Sequence, residues 1–153
     1  VVSTPNKTQP LAEFFWRVRA YIEDTDAGGI VYHGNYLNYM ERARTESLRA
    51  LGFDKTYVTG AEILLVVHSL AIDYKQPAVL DDELLVEAHV MGLKRTSITF
   101  RQNILRGTEL LTEATVKIAC INKNTMRPVA MPDELSAALR RWIDVGELAG
   151  VAM

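Results

Sequence analysis

The sequence predicts an α+β domain in which a curved, five-stranded antiparallel sheet wraps around one long central helix. Three observations predict it. Runs with period-two alternation are separated by short polar turns, the pattern of strands following one another in an antiparallel meander. One stretch, residues 35–51, carries helical apolar spacing for about four to five turns. A sheet with one apolar face needs a cover, and that helix is the only long candidate.

Residues 1–11, with two prolines and many polar groups, read as a flexible N-terminal arm. The domain is expected over 12–146, with 147–153 as a C-terminal tail. "FFWRVRAYI" then alternates, with Trp16, Val18, Ala20 and Ile22 on one side and Arg17, Arg19 and Tyr21 on the other. From Asn35 the period changes: Tyr36, Met40, Ala43, Ser47 and Ala50 form one helical stripe, which Leu37, Leu48 and Leu51 widen. Arg42 and Glu46 have i,i+4 spacing for an ion pair, and Gly52 supplies the stop.

"ILLVVHSLAIDY" follows, apolar on both sides, and "PAVLDD" turns it into "ELLVEAHVMGL". "KRTS" leads to "ITFRQNIL", with Ile98, Phe100 and Ile104 on one side, and "RGTE" to "LLTEATVKIACI", with Ala114, Val116, Ile118 and Cys120 aligned. "PDELSAALRRW" has acidic residues at its start and Arg140 and Arg141 near its end, as suits a short C-terminal helix.

The chain has 48% hydrophobic and 24% charged residues and a net charge of −2, with no long basic run. That composition describes a soluble globular domain and gives no support to nucleic acid or a membrane surface as the main partner. The single cysteine excludes an internal disulfide framework, and its place in a strand pattern makes it a small core residue. The N-terminal stretch lacks a signal-peptide pattern, and no segment approaches the roughly 20 apolar residues of a membrane span. A cytoplasmic location is expected.

The chemistry concentrates in "EDTDAGGIVYHGNY", residues 23–36. Asp24, Asp26, Gly28 and Gly29 are good turn formers and read first as a strand-to-helix turn. Asp24, Asp26 and Gly29 also match three calcium-loop positions, but Gly28 and Asn35 stand where ligands are required. An Asp-x-Asp phosphoryl-transfer site belongs on a parallel sheet with crossover helices, which the meander lacks. His33, His68 and His89 have no metal-ligand spacing, and no Gly-x-Ser-x-Gly elbow occurs. Neither a metal nor a cofactor is expected. There remains a carboxylate beside a helix N-terminus, where amides near Tyr32, His33, Gly34 and Asn35 are unpaired and suit an oxygen that becomes negative during reaction.

"RVRAYIEDTDAGGIVYHGNYLNYMERAR" closely resembles the opening signature of hotdog-fold acyl-CoA thioesterases of the 4-hydroxybenzoyl-CoA thioesterase class, most of all the Tol–Pal-associated, YbgC-type family. The similarity covers residues 14–143. The resemblance implies a hotdog fold and hydrolysis of an acyl-CoA or acyl-carrier thioester. It implies that Asp26 is catalytic, as general base or nucleophile, and that the thioester oxygen meets the His33 amide, with Tyr32 and Gly34 adjoining. A side-chain role for His33 stays open, and Glu41 either orients water or pairs with Arg44 or Arg42.

The resemblance further implies that Lys94 and Arg95, with Ser97, contact the coenzyme A phosphates. It implies a homo-oligomer, dimer or tetramer, with active sites between subunits, and partners in the Tol–Pal system or lipid synthesis. The aromatic-substrate enzymes carry a tyrosine where this chain has His33, so acyl preference does not transfer. A non-catalytic acyl-thioester or protein-binding module on the same fold is the alternative. The hotdog dehydratases, which pair a histidine with an acid on the helix, fit the Asp-Thr-Asp loop poorly.

Overall fold

The computed structural model describes residues 13–152, so the expected arm at 1–11 lies outside the described residues. The elements run β1 (Phe15–Arg19), a 3-10 turn (Ile22–Asp24), α1 (Asn35–Ala50), α2 (Lys55–Gly60), β2 (Ile63–Tyr74), β3 (Glu83–Glu87), β4 (His89–Lys94), β5 (Ser97–Arg101), β6 (Ile104–Arg106), β7 (Glu109–Asn122) and α3 (Asp133–Ala152). All pairings between these strands are antiparallel. β7 lies between β2 on one side and β5 and β6 on the other, because Thr115 pairs with both Ala71 and Arg101. β3 and β4 come next, and β1 closes the far edge.

Two of the five expected strands are each broken in two, giving seven segments. The interruptions fall at Ala88, between β3 and β4, and at Gln102–Asn103, between β5 and β6. Gln102 is the cause on its side. It sits between Phe100 and Ile104 on the apolar face and is fully buried, so its amide must find partners inside. Its Nε2 donates to the Met40 carbonyl of α1 (2.9 Å) and to the Glu87 carbonyl (3.2 Å), and its Oε1 accepts from Arg44 Nη1 (2.7 Å). One polar side chain thus ties the kink of the sheet to the middle of the helix.

The expected face of α1 is the buried one: Tyr36, Met40, Ala43, Ser47 and Ala50, joined by Tyr39. Gly52, at φ +98°, ends the helix in a conformation that favours glycine. The Arg42–Glu46 pair does not form. Glu46 pairs with Arg49 at 2.7 Å, and Arg42 lies over the Tyr39 ring at 5.7 Å. Glu41 makes no close ion pair with Arg44 or Arg42, and acts through its charge on Arg44, whose Nη1 is bonded to Gln102.

The alternation in β1 ends early. Ala20 is bound on both sides by Asp81 and Asp82, the chain turns, and Ile22, expected inside, is 75% exposed. α2 was not expected. It is six residues long, too short to show a period, and its start is capped by Asp54, which accepts from the Tyr57 amide (3.1 Å). α3 is a 20-residue helix rather than a short one, so Arg140 and Arg141 fall in its middle and not at its end. It packs on β4 and β5 through Trp142, whose ring meets His89 (6.1 Å) and Phe100 (6.2 Å) edge-on.

β7 contributes Ala114, Val116, Ile118 and Cys120 to the core as expected, and burial pushes the Cys120 thiol up from its ordinary pKa. β2 differs. Among the described residues it is hydrogen-bonded to β7 along one side only, and Val67, Leu70 and Tyr74 are exposed. No helix among the described residues is long and apolar enough to cross a membrane.

Candidate active site

The segment from Thr25 to Gly34 is built by short-range bonds. Asp26 N–H donates to the Ile30 carbonyl (2.9 Å) and Gly29 N–H to the Asp26 carbonyl (3.0 Å), closing a tight turn. Gly29 makes that turn at φ +82°, which a side chain would strain. The loop is then pinned to residues 78–79: Ile30 bridges Val79, and Val31 N–H donates to the Ala78 carbonyl (2.9 Å). Below it, the Tyr36 hydroxyl accepts from Ala78 N–H (3.0 Å).

Asp26 is exposed, and its Oδ1 accepts from Gly28 N–H (2.8 Å). It lines a cleft of about 400 Å³ together with Ile30, His33, Tyr36, Tyr74 and Gln76. Tyr74, from the end of β2, donates its hydroxyl to the His33 carbonyl (2.7 Å) and so fixes that peptide. Burial raises the pKa of Tyr36 and Tyr74 and keeps both as neutral phenols. Among the described residues, no acceptor is bonded to the His33 or Gly34 amides at the entrance of α1. Asp26 and His33, the latter at the entrance of α1, therefore line one cleft, an arrangement that can serve acyl transfer.

The cleft brings Asp26 and His33 together. Tyr32 and Gly34 adjoin it without being on its wall. The Tyr32 ring leans on His33 (4.4 Å between centroids) and over Gly34, where an added Cβ would meet the ring at 2.9 Å. Lys94, Arg95 and Ser97 are elsewhere in the chain. Ser97 pairs with Ala119 and Tyr74 with Thr112, seven positions apart along β7, about 23 Å at the rise of an extended strand. Lys94 and Arg95 are exposed, and Ser97 is buried between neighbouring strands.

Tyr36, Tyr74 and Gln76 are site residues that sequence reasoning missed. Tyr36, on the apolar stripe of α1, is both core and cleft lining. The faint signal for the others is "DYKQP", a polar ending to an otherwise apolar strand. Asp24, expected to cap the turn, does so: Tyr21 N–H donates to its Oδ2 (2.8 Å). No cluster of three or more His, Cys, Asp or Glu side chains among the described residues could hold a metal ion.

Residues 21–139 match the family described as the thioesterase-like superfamily. The chain is 50% identical over 126 residues to the acyl-CoA thioesterase YbgC of Haemophilus influenzae, covering 82% of this chain and 93% of that protein. It is 39% identical over 129 residues to the acyl-CoA thioester hydrolase YbgC of Escherichia coli O6:H1, covering 84% and 96%. A solved structure of a probable thioesterase from Bartonella henselae superposes with a TM-score of 0.75 at 35% identity, covering 78% of this chain and 99% of that one. The fold is the hotdog fold, and the chain belongs to the thioesterase-like superfamily.

Proposed function

We propose that this protein is an acyl-CoA thioesterase, with Asp26 as the reactive group and the His33 amide at the entrance of α1 as the oxyanion site. The observation that carries the reading is the shared cleft, which Asp26 and His33 both line at the entrance of α1. A thioester has little resonance protection, and its leaving thiolate is stable, with a thiol pKa of about 8.5. The enzyme needs an activated oxygen and a stabilised oxyanion, not a strong acid.

As general base, Asp26 takes a proton from water as the oxygen adds to the carbonyl carbon. The carbonyl electrons move onto oxygen, against the His33 amide. Collapse expels the thiolate, and the proton leaves Asp26 for it. As nucleophile, an Asp26 oxygen adds instead, thiolate leaves, and water cleaves the resulting anhydride. Either route gains about 3 kcal/mol from a preorganised amide. A single turnover in oxygen-18 water tests the anhydride: label in the Asp26 carboxyl marks it, with water opening the anhydride at the aspartyl carbon.

Family resemblance and the one-sided, partly apolar β2 edge support a homodimer joined through that edge, pairing further into a tetramer. The same assembly makes sense of the basic turn. Lys94 and Arg95, far from Asp26 within one chain, would grip the nucleotide phosphates from a second subunit. The reading carries with it a cytoplasmic location and work beside the Tol–Pal system or lipid synthesis.

A hydrolysis screen from acetyl- to palmitoyl-CoA, with benzoyl forms, tests the function. Turnover on at least one acyl-CoA, abolished by Asp26→Asn, is expected; tight binding without turnover in the unaltered protein would sink the hydrolase reading. The double variant Lys94→Ala/Arg95→Ala should raise KM for acyl-CoA about tenfold, and leave KM unchanged for a pantetheine thioester that lacks the nucleotide.

A further inference from the structure

Gln102 does more at the kink of the sheet than satisfy its own amide. Its Nε2 is fixed on the Met40 and Glu87 carbonyls, so its Oε1 holds Arg44 Nη1 (2.7 Å) in one place on α1. The guanidinium uses one donor there, and no bond to its other donors forms among the described residues.

Arg44 differs from the other arginines of the chain. Among the described residues only Arg44 and Arg106 are arginines that are not exposed. Arg106 is paired with Asp82 (2.6 Å) and Glu109 (2.8 Å). Arg44 has no carboxylate in ion-pair range among the described residues. Burial lowers its pKa from the ordinary value, and Glu41 opposes that only through its charge. A cation drawn out of water is costly unless it is paired, and a guanidinium with unused donors presents a fork that matches a carboxylate.

That fork belongs to a pocket of about 520 Å³ between α1, α2 and β2, the size of a small-molecule site. Most of its lining is apolar, with Leu48, Phe53, Val58, Leu65, Val67 and Phe100 among the residues. Along α1 it runs from Glu41 to Arg49, about 12 Å, with Phe53 beyond the far end. Of the other charged side chains on it, Arg49 is paired with Glu46 (2.7 Å) and Asp54 caps α2 (3.1 Å), while Glu41 and Lys55 are exposed. The pocket shares no lining residue with the Asp26 cleft. Val67 pairs with Ile118 and Tyr74 with Thr112, six positions apart along β7, about 20 Å.

We infer that this pocket is a second binding site, for a medium-chain fatty carboxylate, with its head group on Arg44 and its chain along Leu48, Leu65 and Phe53. Apolar walls alone take any hydrocarbon. The unpaired guanidinium at one end selects an anion, and its planar fork favours a carboxylate. The run along α1 suits an extended chain of decanoate length. The inference goes beyond the hydrolase reading and does not depend on it; in a hydrolase, the ligand is of the product class, held away from the cleft that releases it.

The test is calorimetric titration of the full chain with decanoate and, as the uncharged control, decanol. One decanoate per chain is expected, bound at least about tenfold more tightly than decanol. Arg44→Gln, which keeps a donor for Gln102, should weaken decanoate about tenfold or more and leave decanol within about twofold. Thr45 is an exposed lining position on α1. Thr45→Trp fills the pocket there and should weaken both ligands about tenfold; with the decanoate–decanol comparison, it carries the test if Arg44→Gln does not fold. A saturating decyl-CoA thioether, which occupies the Asp26 cleft, should leave decanoate affinity within about twofold.

Equal affinity for decanoate and decanol overturns the inference, as does full affinity in either variant. Displacement of decanoate by the thioether also overturns it, because the pocket is then an arm of the Asp26 site. So does a failure to bind decanoate in an oligomer that Thr45→Trp takes apart, which shows the pocket filled by a second copy. A protein inactive on every thioester that binds decanoate in the expected pattern sinks the hydrolase reading and supports this one.

Discussion

Asp24 and Asp26 stand two residues apart in one loop, with the same side chain, and the fold gives them opposite surroundings. Asp24 is buried and accepts from Tyr21 N–H; burial would raise its pKa, but that bond and the nearby Tyr39, Asn35 and Arg42 groups bring it below the ordinary value. Asp26 is exposed, with one backbone partner, Gly28 N–H, and lines the cleft with His33. Each carboxylate accepts one backbone hydrogen bond. The difference teaches that exposure to the cleft, not the count of bonds, separates a carboxylate open to a ligand from one sealed in the fold. The neighbour, buried and bonded to the Tyr21 backbone, becomes framework.

The comparison breaks first on activity. Asp26→Asn should cost at least a hundredfold in kcat, the range of a lost acid–base group, while the melting temperature stays within about 2 °C. Its amide oxygen can still accept from Gly28 N–H. Asp24→Asn should cost far less activity and more stability. An equal loss of rate in both variants would erase the distinction.

The second contrast is in acid. The folded-state pKa of Asp24 lies below its ordinary value of 3.8. Its ionised form therefore stabilises the fold at pH values above the unfolded pKa, and that contribution disappears as pH falls through the folded one. Thermal melts should place the wild type above Asp24→Asn at pH 7 by about 1–3 kcal/mol, with the gap closing below about pH 4. A gap that stays constant down to pH 3 would show that the charge is not what matters.

The smallest effect sharpens the Asp26 side. Gly29→Ala meets no neighbour within 4 Å, but it puts a side chain at φ +82°. It should cost about 1 kcal/mol of stability, read by denaturant unfolding, and a few-fold in kcat as the Asp26 turn loosens.

Much of this protein could be read before its coordinates. The α1 stripe, the β7 face, the Gly52 stop and the Asp-Thr-Asp loop before the helix all appear where the sequence puts them. Each is written in contiguous residues, as a period or a turn signal. The misreadings have a common cause in contacts of long sequence separation. Ile22 alternates as a core residue should, yet Asp81 and Asp82 hold Ala20 and turn the chain first. Gln102 occupies an apolar position and is there for the Met40 carbonyl and Arg44. The far wall of the cleft, Tyr74 and Gln76, comes from the end of β2.

By itself, then, the amino-acid order determined the strands, the long helix and the carboxylate loop at its entrance, because periodicity and turn chemistry act within a few residues. Tertiary structure decided which aspartate is sealed and which is open, and that Tyr74 fixes the His33 peptide. It also decided that the basic turn stands about 23 Å along the sheet from the cleft of its own chain. Register and burial set those outcomes, and both depend on partners that arrive from distant parts of the chain.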